Sequence, residues 1–267
     1  MKIITLISDM GTRDHYVASV KGQLMTQVPT ASIVDITHHI RPFDIAQAAF
    51  VLRQTWKDFP QGSIHIIGVS PEHNQETAHL IVQIEGHYFI GADNGVFALM
   101  FDRHPDEVFE LNISQDRDEM TFPTRDLFAK AAAHLARGGT PEVIGKRIKG
   151  VKEAESAKPV VERNLIKGRV IHVDGYGNAI SNITKKLFSE VRKDREFSIQ
   201  FKKAMFEITK IHQTYGQVSE GQSVALFGSS GDLEIAVNKG AEGNGGGASK
   251  LFGLKVDDII RVEFYDD

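Results

Sequence analysis

The 267-residue chain has no cysteine, a single tryptophan and no long apolar run. Without cysteine there is no disulfide, no thiolate nucleophile and no cysteine-based zinc site, a usage that fits a reducing compartment. No stretch approaches the ~20 apolar residues that a membrane-spanning helix needs. The first residues lack the basic segment and apolar core of a signal peptide and read as a core strand. Positive charge is not in excess, with 31 Lys and Arg against 35 Asp and Glu and a formal net charge of −4. No basic stripe offers itself to nucleic acid. His38-His39 is the only adjacent histidine pair, and successive strand residues face opposite sides. With no His-x-x-x-His beside a carboxylate, no metal site is expected. These absences lead to a cytoplasmic protein without a nucleic-acid or membrane partner and without a bound cofactor.

What is present is globular: 41% hydrophobic and 25% charged residues, over a length that suits one large or two ordinary domains. The β-branched run Lys2-Ile3-Ile4-Thr5-Leu6-Ile7 is followed at once by the acidic turn Ser8-Asp9-Met10-Gly11-Thr12-Arg13-Asp14. Val17, Val20, Leu24 and Val28 then recur at helical spacing. In open α/β sheets ligands bind at the carboxyl ends of strands, so Asp9 and Asp14 are placed to meet hydroxyls or positive charge. Their structural alternative is to cap the helix.

Further along, residues 32–36 and 63–69 read as strands, and 42–57 as a helix with Pro42 at its first position. Residues 80–84 and 87–90 read as a hairpin around Glu85-Gly86. Thr124 is placed to cap a helix running to Gly138-Gly139. Residues 1–150 are therefore expected to form an α/β sandwich with a mainly parallel sheet covered on both faces. The charged stretch 146–159 reads as a linker. Residues 160–267 carry short strands at 167–173, 196–201, 223–227, 233–237 and 259–264, which suits an antiparallel β-barrel or sandwich. The glycine-rich stretch 240–247 reads as a flexible loop with no helix clearly following, and not as a phosphate loop.

Polar segments besides the first turn are Gly91-Ala92-Asp93-Asn94-Gly95, Asp174-Gly175-Tyr176-Gly177-Asn178 with Ser181-Asn182, and Gly228-Ser229-Ser230-Gly231 leading to Glu234 and Asn238. Each alone is ordinary turn chemistry. In order along the chain, together with Val34-Asp35-Ile36-Thr37-His38 and Pro42-Phe43-Asp44, they resemble the S-adenosylmethionine hydroxide adenosyltransferase family, which is related to the fluorinases and chlorinases.

That resemblance implies an N-terminal α/β domain, a C-terminal β-barrel, and a homotrimer whose ligand lies between neighbouring subunits. It implies hydrolysis of S-adenosylmethionine, as substrate, to adenosine and methionine. It gives Asp9 the ribose diol, Asp14 and Asp174 the ammonium, Ser229 and Ser230 the carboxylate, and Asn238 the adenine. Phe43 and Tyr176 are candidate walls, Phe43 being equally suited to core packing. Asn94, Asn178 and Glu234 complete the substrate-binding set. Hydrolytic members resemble one another in an Asp, an Arg and a His near the sulfonium; here those positions carry Ser70, Thr77 and Pro123. Neutral Ser70 is no carboxylate base, and Pro123 has no side-chain donor and no N–H. Glu72, His73, Glu76 and His79 are nearby candidates to orient or deprotonate water, with a solvated loop as their alternative. Ser70, Glu72, His73 and Thr77 are thus the catalytic candidates. A non-catalytic binder of the same ligand is the second reading, and transfer to another small nucleophile a third.

Overall fold

Isoleucine-rich strands, stiff at χ1 and suited to a pleated surface, build the first of two compact units, Met1–Ser156 and Ala157–Asp267. The structure is a computed structural model describing residues 2–72, 77–113, 121–241 and 245–266. The first unit holds β1 (Ile3–Ser8), β2 (Ser32–Thr37), β3 (Ile64–Gly68), β4 (His79–Ile84), β5 (His87–Ala92), β6 (Glu107–Leu111) and β7 (Gly145–Arg147). Its helices are α1 (Tyr16–Gln27), α2 (Ile45–Arg53), α3 (Val96–Met100), α4 (Ala129–Ala136) and α5 (Pro141–Ile144). The strand order is β2-β1-β3-β5-β4-β6-β7.

This sheet is mixed, not mainly parallel. β2, β1, β3 and β5 are parallel neighbours, whereas β5–β4, β4–β6 and β6–β7 are antiparallel. The reversal is made by Glu85 and Gly86, both at positive φ, in a two-residue hairpin. One face sets Ile4, Leu6, Ile64 and Ile66 against Val20 and Leu24 of α1 and against Leu127 and Phe128. The other sets Ile7, Ile67, Val82 and Phe89 against Ala48, Ala49 and Leu52 of α2 and Phe97 of α3.

Several elements differ from their sequence reading. α2 starts at Ile45, because Asp44 accepts a hydrogen bond from the Gln47 N–H and fixes the start there; Pro42 lies before it. Trp56 sits in a separate 3₁₀ turn. Neither Asp9 nor Asp14 caps α1: its N-cap is His15, with no side-chain bond. Thr124 caps nothing. Residues Thr124–Phe128 form a π-helical turn, closed by the Ala129 N–H on the Thr124 carbonyl. Such turns recur at functional sites. The stretch read as linker begins inside β7.

The second unit holds β8 (Val160–Glu162), β9 (Leu165–Val173), β10 (Ala179–Thr184), β11 (Glu196–Phe201), β12 (Lys203–Ile208), β13 (Ile211–His212), β14 (Ser223–Phe227), β15 (Asp232–Val237) and β16 (Ile259–Tyr265). Two helices join them, α6 (Lys185–Arg192) and α7 (Ala248–Leu251). The order is β12-β11-β16-β9-β10-β15-β14-β13, with β8 on β9, and the sheet curls until it is nearly barrel-shaped. Only β13–β14 is parallel among these pairs. Ile166, Val170, Ile183, Ile199, Ile235 and Val262 fill its core, with Phe188 of α6 packed in. α7 follows the glycine-rich stretch directly, where no helix was expected; residues 242–244 of that stretch lie outside the described residues. Among the described residues no helix is long and apolar enough to cross a membrane.

Candidate active site

The parallel strands β1, β3 and β5 lie side by side; β1 and β5 each lead into one of the polar turns read from the sequence, and β3 leads into the Ser70 turn. After β1, Asp9 accepts a hydrogen bond from the Phe43 N–H through Oδ2 at 2.9 Å. Phe43 is 66% exposed and sits at φ +65, so it is no core residue. An L-residue in the left-handed region is strained and persists only where its surroundings hold it. Asp9 is what holds it. The same turn is tied to residues 38–40 by Gly11 N–H to the His38 carbonyl, 2.7 Å, and Ile40 N–H to the Ser8 carbonyl, 3.3 Å. Asp14 is exposed.

After β3, Ser70 is a second non-glycine residue at positive φ, +44. Asn94, after β5, donates from Nδ2 to the carbonyls of Val69 (3.3 Å) and Ser70 (3.0 Å) and accepts from the Val96 N–H (3.2 Å). Its amide nitrogen thus fixes the Ser70 turn while its oxygen holds the first N–H of α3. His79 adds a further tie, donating from Nε2 to the Pro71 carbonyl at 2.8 Å. Thr77 is buried and Glu72 exposed. His73 and Glu76 lie outside the described residues. Pro123 immediately precedes the π-turn.

At the end of β3, a Cβ on Gly68 would lie 2.9 Å from Thr124 Cγ2 and 3.3 Å from Met10 Cε. Gly68→Ala is expected to cost about 1–3 kcal/mol through overpacking, read as a lowered urea midpoint with unchanged slope.

In the second unit, the β9–β10 turn is closed by Asp174. Its Oδ1 accepts from the N–H groups of Tyr176 and Asn178 at 2.9 Å each, and its Oδ2 from Asn178 Nδ2 at 3.0 Å. Both oxygens therefore already serve their own turn. Tyr176 is 69% exposed. Glu234, buried on β15, accepts from the Tyr215 hydroxyl at 2.7 Å. Burial, and then the nearby Asp174 charge, raise the Glu234 carboxyl against the lowering effect of Tyr215. Burial and the Glu234 bond push the Tyr215 phenol well above its usual value. A Cβ on Gly228 would lie 2.6 Å from Glu234 Oε2, so a side chain there would displace this carboxylate. Asn238 Nδ2 donates to the Val218 carbonyl at 2.7 Å, Ser230 Oγ accepts from the Asp232 N–H at 3.2 Å, and Ser229 is exposed.

The structure thus joins Asp9 to Phe43, Ser70 to Asn94, and Asp174 to Asn178. Sequence reasoning missed Tyr215; its one local signal is the Thr214-to-Gln217 capping box, which sets the 3₁₀ turn carrying it. It also missed a chain of side chains behind Asp9: Ser8 Oγ to His38 Nδ1 at 2.7 Å, His38 Nε2 to Asp35 Oδ1 at 3.0 Å, and Lys21 Nζ to Asp35 Oδ2 at 2.5 Å. Among the described residues no group of three His, Cys, Asp or Glu side chains is placed to hold a metal ion.

Residues 4–145 match the SAM hydroxide adenosyltransferase N-terminal domain, and residues 168–261 the C-terminal domain of the same family. The chain belongs to this family. It is 33% identical to the (R)-S-adenosyl-L-methionine hydrolase of Thermus thermophilus, over 98% of this chain and 100% of the relative. With the hydrolase of Methanocaldococcus jannaschii it shares 28% identity over 88% of each chain. A fluorinase from an Actinoplanes species is 26% identical over 68% of this chain and 71% of its own. A solved structure of an uncharacterized conserved protein from Thermotoga maritima superposes with a TM-score of 0.86 at 29% identity, covering 97% of this chain and 99% of that one.

Proposed function

We propose that this member of the SAM hydroxide adenosyltransferase family hydrolyses S-adenosyl-L-methionine to adenosine and L-methionine, by attack of water at C5′ with the thioether as leaving group. The observation that carries this reading is the end-to-end likeness to hydrolases of that substrate. In this reading Asp9, one oxygen of which holds the strained Phe43 backbone, receives the ribose diol, and exposed Phe43 and Tyr176 flank the nucleoside. Asp14, Asp174 and the raised Glu234 face the ammonium, Ser229 and Ser230 the carboxylate, and Asn178 and Asn238 the adenine. Asn94 serves from behind, by fixing the Ser70 turn.

Water activation needs no strong base here. A sulfonium is an excellent leaving group, so holding a desolvated water in line with the C5′–S bond supplies much of the barrier reduction. Ser70, presented on a strained turn, is suited to hold that water by its hydroxyl; Thr77 and Glu72 stand in the adjoining segment. The protein works in the cytoplasm as a homotrimer in this account, without a cofactor, and the trimer is checked by light scattering on the purified protein.

Incubating the protein with each sulfonium epimer and following products by liquid chromatography tests the reaction. Equimolar adenosine and methionine are expected. Tight binding without turnover would make the protein a non-catalytic binder, and a halogenated or otherwise substituted nucleoside would identify another nucleophile.

A further inference from the structure

Tyr215 belongs to none of the motifs that carry the resemblance, yet it reaches a buried carboxylate of the candidate site. Residues Tyr215–Gln217 form a single 3₁₀ turn. That turn is fixed on both sides. Gln217 Oε1 accepts from the Gln213 N–H at 2.6 Å and the Thr214 N–H at 3.3 Å, and the Val218 carbonyl accepts from Asn238 Nδ2 at 2.7 Å. The tyrosine is 41% exposed, so core packing is not what holds it. Its hydroxyl donates to Glu234 Oε1 at 2.7 Å, and Glu234 is 5% exposed.

Strand register sets Glu234 beside the Asp174 turn. Glu234 pairs with Ile180 across β15 and β10. Ile180 lies two residues beyond Asn178, so alternation puts Asn178, Ile180 and the cross-strand neighbour Glu234 on one face. Asn178 Nδ2 is the group that holds Asp174 Oδ2, at 3.0 Å. Asp174 is near enough for its charge to raise both Glu234 and Tyr215. Two neighbouring carboxylates repel, and burial adds to the cost of charging the inner one. The Tyr215 hydroxyl opposes both effects. It is a dependable donor, because its own phenol is pushed well above the usual range and stays protonated.

We propose that Tyr215 is a positioning residue for the amino-acid end of the substrate: its hydroxyl fixes the Glu234 carboxylate beside the Asp174 turn, so that two carboxylates and not one attract the ammonium. This role rests on the assignment of the ammonium to Asp174 and Glu234 made above. Glu234 is too buried to offer a ligand much surface. It acts by its charge, which reaches farther in a poorly solvated site than in water.

Calorimetry with two unreactive probes tests this without requiring turnover. S-adenosylhomocysteine carries the ammonium but has a thioether in place of the sulfonium. Methylthioadenosine keeps the nucleoside and the thioether and lacks the amino acid. Wild-type protein is expected to prefer the first. Tyr215→Phe is expected to weaken S-adenosylhomocysteine about five- to tenfold, the scale of coupling within one hydrogen-bonded network, and to leave methylthioadenosine unchanged. Glu234→Gln keeps an oxygen for the Tyr215 hydroxyl but has no charge. It is expected to lose the same preference, and Tyr215→Phe added to it to lose nothing more. A merely structural tyrosine would weaken both probes together, or lower only the unfolding midpoint, and either result overturns the role. A further loss of preference on adding Tyr215→Phe to Glu234→Gln overturns it too, since Tyr215 would then act without the carboxylate. Wild-type protein that binds both probes alike would overturn the ammonium assignment and this role with it. Wild-type protein that binds neither would overturn the nucleoside site itself. Failure of hydrolysis while the expected binding differences hold would count only against the reaction proposed above.

Discussion

Asp9→Ala is expected to lower kcat/KM for S-adenosylmethionine by about a hundredfold or more, because charge-assisted hydrogen bonds are worth roughly 1.5–3 kcal/mol each. Two losses combine in this variant. On the proposed assignment the ribose diol loses its acceptor, and the Phe43 N–H loses the oxygen that holds it at 2.9 Å. Without that bond the left-handed Phe43, at φ +65, is free to relax and to move an exposed ring. Asp9→Asn separates the two effects. Its amide oxygen still accepts from the Phe43 N–H, so it keeps the loop but loses the charge. Its kcat/KM is expected to fall between those of the wild type and Asp9→Ala, with adenosine formation measured by chromatography. Equal activity in all three proteins would remove Asp9 from the site.

The second large effect is on stability and comes from the core. Thr5 Oγ1 lies 2.8 Å from His65 Nδ1, and His65 Nε2 lies 3.2 Å from His87 Nδ1, inside the first unit. His65 also stacks on Phe89, with ring centroids 4.7 Å apart. Burial, and then the neighbouring His87, push His65 from 6.5 down to about 3. A histidine whose folded value is depressed binds its proton more tightly when unfolded. Its contribution is therefore fully present above pH 6.5 and is lost as pH falls from 6.5 toward about 3. At ~1.4 kcal/mol per pH unit below the unfolded value, acidifying to about pH 4.5 is expected to cost roughly 2–3 kcal/mol from this group. Urea unfolding followed across that range measures it. His65→Gln, which cannot titrate, is expected to be less stable at neutral pH but to show a flatter slope between about pH 6.5 and 4.5. Parallel slopes for the two proteins would assign the acid sensitivity to other groups.

Much of this architecture was legible in the chain. The run of isoleucines before Ser8, the spacing of Val17, Val20 and Leu24, and the Glu85-Gly86 turn each specify an element locally, and each forms where it was read. The direction of the sheet was less legible. β4 and β5 were read as a hairpin, but only the insertion of β5 between β3 and β4 turns half the sheet antiparallel, and no local pattern encodes that order. Helix boundaries shifted where a side chain took over an end, as Asp44 does for α2.

At the candidate site the sequence located the turns but not their internal use. Asp174 and Asn94 are both polar residues in glycine-rich turns; Asn94 bonds nearby backbone, and Asp174 bonds the backbone of its own turn and the Asn178 amide. Tyr215 meets Glu234 from a segment 19 residues away, with no motif announcing the pairing. Ser8, Asp35 and His38 were visible as parts of two separate motifs; only the parallel pairing of β1 with β2 brings them into one hydrogen-bonded chain.

We propose that water attacks C5′ although Ser70, Thr77 and Pro123 stand where the family resemblance expects an Asp, an Arg and a His. Turnover of S-adenosylmethionine in heavy-oxygen water, with mass analysis of the nucleoside, tests this attack. Adenosine carrying the heavy isotope in its 5′-hydroxyl, formed in step with methionine, is expected. Unlabelled adenosine, or substrate bound and recovered intact, would contradict it.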